Sequence, residues 1–232
     1  MSFYAYVKQP DDEVCVWHYM DLARYMLLLE QRALFFAQVD AVDCQFEGYG
    51  TIGNVAPGTN IHDAARETTE FSALSRASLV VSCWHMGDCE SAALWQLHAD
   101  APVAIKSTVQ RLKKGLNYSL LKYVKIGAVN YQPPAILSTE AGVSIEVDYF
   151  FKRQSFAHER EVRILAHARD LDLVTRNGGL LASADLGALV EQVCVSPKAP
   201  PWFADLVRSI TNSTYHVDVE VAQTTLRREA LA

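Results

Sequence analysis

A chain of 232 residues, half of them hydrophobic and 21% charged, has ample apolar material for a large buried core, which excludes a disordered protein. Its formal net charge of −6 provides no whole-chain field that would draw it to nucleic acid. No apolar run reaches the ~20 residues of a membrane-crossing helix, and the first residues lack the cationic start and apolar stretch of a secretion signal.

Residues 14–20 are an apolar, β-rich run expected to form a buried strand. Asp21 can cap the helix that follows, where Leu22, Tyr25, Met26 and Leu29 recur at helical spacing. A short strand is expected at 34–36. From about 40 to 60 the chain carries Gly48, Gly50, Gly53, Pro57 and Gly58 and reads as a long loop. A polar helix over 62–77 then leads to a second buried strand at 78–84. Asp88 is expected to cap a helix running to 99, in which Trp95 reads as core. A strand at 103–105 ends at Lys106, Ser107 and Thr108, and either hydroxyl can cap the helix predicted for 109–116. Further strands are expected at 124–131, 143–151 and 162–166, followed by a turn at Asn177, Gly178 and Gly179. The end of the chain reads as a strand at 190–195, a Pro-started helix at 202–210 and a strand at 216–221. No repeat, low-complexity tract or linker interrupts this succession. The expected fold is therefore α+β: a single domain over 1–232, its core at about 14–221, with a mixed or antiparallel sheet and flanking helices.

The most informative segment surrounds Glu159 and Glu161, at the mouth of the apolar run 162–166. On a strand, the period of two puts both side chains on one face. Like charges at that distance raise the pKa of one member, which leaves an acid beside a base. Lys152, Arg153, Arg160 and Arg163 crowd the same segment and suit a solvated strand end equally well. His18 lies between Trp17 and Tyr19; such a strand histidine is usually a satisfied core residue, yet its aromatic neighbours would also suit a nicotinamide-like ring. Ser107 and Thr108 stand at a strand end, where ligands collect.

Other motifs are weaker. Gly48, Gly50 and Gly53 fit G-x-G-x-x-G but lack the preceding strand and following helix of a dinucleotide site. Cys83, His85 and Cys89 match no common zinc spacing, and no metal is expected there. A magnesium site drawn from Asp43, Glu47, Glu90, Glu159 and Glu161 stays open, since scattered carboxylates can converge. The five cysteines, odd in number and scattered, read as reduced thiols, and the expected compartment is cytoplasmic with no membrane partner.

Several of these residues recur in a known order: Trp17 to Met20, Phe36 with Asp43 to Glu47, Ser82 to His85 with Glu90, Ser91 and Trp95, Ala104 to Ser107, and Phe151, Lys152, Phe156 and Glu159 to Arg163. The succession resembles the bacterial family called domain of unknown function 2971, over about residues 14–220 and including Val193 to Pro197. That resemblance implies no reaction. A second resemblance is to ADP-ribosyltransferases, which carry a His or Arg on a first strand, a Ser-Thr segment on a middle strand and a Glu-x-Glu before a later strand. Here His18, then Ser107 and Thr108, then Glu159 and Glu161 follow in that order. The long gap from His18 to Ser107, and Lys106 where a serine often opens the middle motif, depart from the pattern.

This second resemblance implies NAD as substrate, positioned by His18 and Tyr19, with Ser107 and Thr108 shaping its pocket. It implies Glu161 as the catalytic carboxylate beside an oxocarbenium-like transition state, and Glu159 as the group that orients or deprotonates the acceptor. The acceptor is left open between protein, nucleic acid and small molecule, as is the oligomeric state. Two rival readings stand beside it: a magnesium-dependent hydrolase or nuclease, and a non-catalytic sensor or interaction module in a bacterial defence or stress setting.

Overall fold

The computed structural model describes residues 3–39, 78–98, 100, 102–116, 121–132, 145–168, 178–224 and 226. The loop expected at 40–60 and the helix expected at 62–77 lie outside the described residues. Backbone contacts divide the chain into two compact units. One contains Met1–Pro10, Phe36–Cys83 and Tyr123–Leu180; the other contains Asp11–Phe35, Trp84–Lys122 and Leu181–Ala232.

In the second unit the apolar run after Val14 forms β1 (Cys15–Met20). It pairs antiparallel with β4 (Val103–Thr108) along its whole length, and its Trp17 faces His85 near the end of β3 (Leu79–Met86). β4 pairs antiparallel with β10 (Gln192–Val195), which runs parallel to β11 (Glu220–Gln223). Strand alternation sorts the side chains. Trp17 and Tyr19 share one face with Ala104 and Cys194 and pack under Leu94 and Trp95 of the helix Ala92–Leu97. Val16 and His18 share the other face with Ser107 and Ile105, their partners across the β1–β4 rungs.

Helix Leu22–Gln31 begins where Asp21 accepts a hydrogen bond from the Arg24 N–H at 2.8 Å. It ends at Arg32, whose φ of 44° is the left-handed C-terminal conformation usually given to glycine. Thr108 caps helix Val109–Gly115 through the Arg111 N–H, one of the two expected caps. Three boundaries differ from expectation. The cap of helix Ala92–Leu97 is Ser91, not Asp88, because its hydroxyl sits one residue before the helix and accepts from the Leu94 N–H. The strand expected from 190 starts at Gln192, since Val190 closes the short helix Leu186–Leu189 that Asp185 caps. The last strand starts at Glu220 rather than 216, since helix Pro201–Arg208 is prolonged by a π-helical turn at Ser209–Thr214.

In the first unit β5 (Val124–Ala128) pairs antiparallel with β8 (Glu161–His167), with Gly127 opposite Arg163. β8 also pairs with β3, and Ala37 of β2 (Ala33–Gln38) faces Val81 of β3. Gly127 is required by a close approach: a side chain there would overlap Val7 and the Phe150 ring. The strand expected at 124–131 is broken in two. At Val129 the backbone N–H turns to the Glu161 carbonyl (2.9 Å), and the chain resumes as β6 (Asn130–Gln132), parallel to β7 (Phe151–Arg153).

The strand expected at 143–151 is overturned as well: Ile145–Asp148 is a helical turn. Val147, Tyr149 and Phe150 are all buried among Val7, Val39, Leu79, Val81 and Leu165, which a helical turn and the turn after it achieve as well as a strand. Gly178, in the expected turn, has φ 79° and leads into β9 (Gly179–Ser183). The fold class is α+β on a mixed, mostly antiparallel sheet, with parallel pairing only at β10–β11 and β6–β7 among the registers described.

Candidate active site

Glu159 is the last residue of a 3-10 helix, Gln154–Glu159, and Glu161 is the first of β8. Arg160 between them has φ 46°. The two carboxylates therefore meet through a left-handed turn and not through the period of a strand, which corrects the geometry expected from sequence. The turn brings them onto one lysine. The Lys152 ammonium, from β7, donates to Glu159 Oε2 at 2.5 Å and to Glu161 Oε1 at 2.8 Å. Arg163, two residues along β8, donates from Nε to Glu161 Oε2 at 2.6 Å and from Nη1 to the Tyr149 carbonyl at 2.7 Å. The Glu161 N–H donates to the Tyr131 hydroxyl on β6 at 2.8 Å.

This network is not the solvated strand end that the surrounding cations allowed. Glu161 and Arg163 are 5% and 4% exposed at their side chains, and Lys152 and Glu159 11% and 10%. Buried charges persist only when paired and hydrogen-bonded, and each of the four is. The two acids then part company. Burial pushes the Glu159 carboxyl up to about 7; its hydrogen bond with Glu161 adds to the rise, and Lys152 opposes it. Burial presses Glu161 the same way, but the Arg163 guanidinium, the Glu159 hydrogen bond and Lys152 outweigh it and hold Glu161 well below the usual carboxylate range. Two neighbouring carboxyls thus occupy different protonation states near neutrality, which is the arrangement that separates a fixed anion from a proton carrier. Burial also raises the Tyr131 hydroxyl, so it stays a neutral dipole beside the pair.

The remaining sequence candidates lie in the other unit. Tyr19 is buried; its hydroxyl accepts from the Ser91 N–H at 3.0 Å, its ring meets Trp95 edge-on at 4.8 Å and stacks on His98 at 5.7 Å. Burial pushes its hydroxyl up to about 12. With Met20, Asp21, Arg24, Leu97, His98 and Asp100 it lines a cleft of about 260 Å³. His18 is half-buried on the opposite face, its ring 4.9 Å from that of Trp84. Ser107 is fully buried and donates its hydroxyl to the Leu189 carbonyl at 2.6 Å, while Thr108 is engaged in its helix cap. Glu90, named for magnesium, accepts from the Trp95 indole at 2.7 Å and from the Thr224 hydroxyl. Asp43 and Glu47 lie outside the described residues. Among the described residues no three His, Cys, Asp or Glu side chains converge as metal ligands.

Two participants have no assigned role in the sequence reading. Lys152 appears there only among the nearby cations and in the first resemblance, and Tyr131 does not appear. Both reach the glutamates through the parallel β6–β7 pairing, which joins segments some twenty residues apart and leaves no local pattern.

No protein-family model and no curated protein matches the chain. Among solved structures it is similar to DarT of Thermus sp. 2.9 in complex with NAD+, at 10% identity and a TM-score of 0.38, over 93% of this chain and 96% of that one. No described helix is long and apolar enough to cross a membrane.

Proposed function

We propose that the protein is an NAD-consuming, ADP-ribosyltransferase-like enzyme in which Glu161 is the catalytic carboxylate and Glu159 takes the proton of the acceptor nucleophile. The observation that supports this reading is the pair itself: one carboxyl fixed as an anion by Arg163, its neighbour poised to exchange a proton at about pH 7. In the transfer, the bond between nicotinamide and ribose breaks and its electron pair leaves with the nicotinamide. Positive charge develops on the ribose, where a preorganised anion is the device that stabilises it. The acceptor's nucleophilic atom then bonds to the ribose carbon, and its proton passes to Glu159.

The sequence resemblance assigns NAD contacts to His18, Tyr19, Ser107 and Thr108. Tyr19 borders a cleft that also presents Asp21, Arg24, His98 and Asp100, with Arg24 paired to Asp21. Ser107 and Thr108 would act by fixing the β4 end, given the bonds their hydroxyls already make.

Nicotinamide release from NAD tests the reading. Glu161→Gln is expected to lower turnover at least about 10²-fold, the scale of removing a preorganised electrostatic group, while still binding NAD. Turnover should rise with pH through about 7, as Glu159 loses its own proton and becomes able to accept another. NAD at 100 times its Kd should stabilise the wild-type fold by about 2.7 kcal/mol, visible as a raised Tm. A folded Glu161→Gln variant with undiminished turnover, or a wild-type Tm indifferent to NAD, would refute the proposal.

A further inference from the structure

We infer that Lys152 is the positioning residue of the Glu159–Glu161 pair: its ammonium clasps both carboxyl groups and sets how readily Glu159 gives up its proton. The inference rests on reading that pair as catalytic. Its basis is an asymmetry in the contacts. Arg163 lies on β8 beside Glu161 and holds Oε2 of that residue. Lys152 takes the other Glu161 oxygen, Oε1, and Oε2 of Glu159. Glu159 belongs to the 3-10 helix, so the lysine ties this helix end to the first residue of β8.

The ammonium is itself held in place. Lys152 sits on β7 opposite Tyr131 of β6, and its Nζ lies 4.9 Å from the centre of the Phe156 ring, a cation–π distance. Phe156 is on the same 3-10 helix as Glu159. The ring and the carboxylate that meet the ammonium thus come from one helix.

The charged and titratable groups facing Glu159 define what removal of Lys152 does. From β8 come Glu161 and, behind it, Arg163; from β7 comes Lys152; from β6 comes the Tyr131 hydroxyl. On its own segment are His158, whose ring is turned to the Ser155 carbonyl, and the exposed Arg160. Without the Lys152 ammonium, Arg163 still keeps Glu161 ionised. Glu159 then loses one donor that favours its charged form while the Glu161 anion stays beside it, and holds its proton more tightly.

Carbon-13 NMR of the Glu159 carboxyl, assigned by loss of the signal in Glu159→Gln and followed from acid to alkaline pH, reads this directly. Lys152→Met should raise the proton affinity of Glu159 about tenfold, one pH unit, and Lys152→Arg should return it most of the way. Urea unfolding establishes that both variants are folded. A midpoint in Lys152→Met indistinguishable from wild type overturns the inference, as does a shift that Lys152→Arg fails to reverse. Should Lys152→Met not fold, the wild-type protein decides: the Lys152 Nζ nitrogen signal must move with the same midpoint as the Glu159 carboxyl, and independent midpoints overturn the inference. NAD turnover is a separate readout. A moved midpoint in a protein that never releases nicotinamide leaves Lys152 in its role and removes the transferase reading; turnover with an unmoved midpoint does the reverse.

Discussion

Arg163 shows how one side chain decides whether the glutamate pair exists at all. Its guanidinium presents donors in a planar fork, and it uses two of them at once, on Glu161 Oε2 and on the Tyr149 carbonyl. Both it and Glu161 are almost entirely out of water. Removing one partner of such a pair leaves an uncompensated buried charge, which typically destabilises by about 3–5 kcal/mol. Arg163→Met is expected to fall in that range in urea unfolding, although methionine fills much of the same volume. Arg163→Lys should lie between, because an ammonium keeps the charge but cannot span both acceptors in the fixed geometry of the fork. Combining Arg163→Met with Glu161→Gln removes both charges, so the double variant should be less destabilised than the sum of the two singles. Additive losses would mean that the two side chains stabilise the fold independently, and the pairing argument would be wrong.

At the scale of an element, the decisive feature is the turn from the 3-10 helix Gln154–Glu159 into β8. A non-glycine residue in the left-handed region is strained by roughly 1–2 kcal/mol, more for a β-branched side chain. Arg160 occupies it with φ 46°. Arg160→Gly should be close to neutral, since relief of strain offsets the added freedom of the unfolded chain, whereas Arg160→Val should lose about 1–3 kcal/mol and displace Glu159. Equal stability of the two variants would show that the turn carries no strain. This turn also marks the limit of what the sequence discloses. That Glu159 and Glu161 form a pair with split protonation is legible from two like charges beside an apolar run. That they meet across a left-handed turn is not, since nothing about arginine announces such a conformation. β1 and the helix after Asp21 are legible because burial on both faces and a capping aspartate are local properties. The run ending at Phe150 misleads for the converse reason. Its apolar spacing reports that residues are buried, and both a strand and a helical turn can bury them. The place of Ser107 at a strand end suits a pocket residue, and nothing local in the sequence shows that its hydroxyl donates to the Leu189 carbonyl, 82 residues away.

For the molecule as a whole, the same pair predicts how stability varies with pH, and the two glutamates act in opposite senses. Glu159 is raised from the ordinary 4.5 to about 7, so the folded protein binds its proton more tightly than the unfolded chain does. Its contribution is present in full below about pH 4.5 and is lost as pH climbs through about 7. Glu161 is lowered, so its contribution is present above about 4.5 and is lost as pH falls through its depressed folded value. Between them they place the stability maximum near the ordinary carboxylate value, with a decline on both sides. Urea midpoints measured from about pH 2 to 9 at constant salt should trace that dome in the wild type. In Glu159→Gln the alkaline limb between about pH 5 and 8 should flatten, because the amide has no proton to lose, while the acid limb, set by Glu161, should remain. Superimposable curves for the two proteins would sink the assignment of the raised group to Glu159. A flattened limb would mean that the fold gives up stability at neutral pH to keep a proton-exchanging carboxyl beside a buried anion, a concession that folding alone does not require and that a reactive site does.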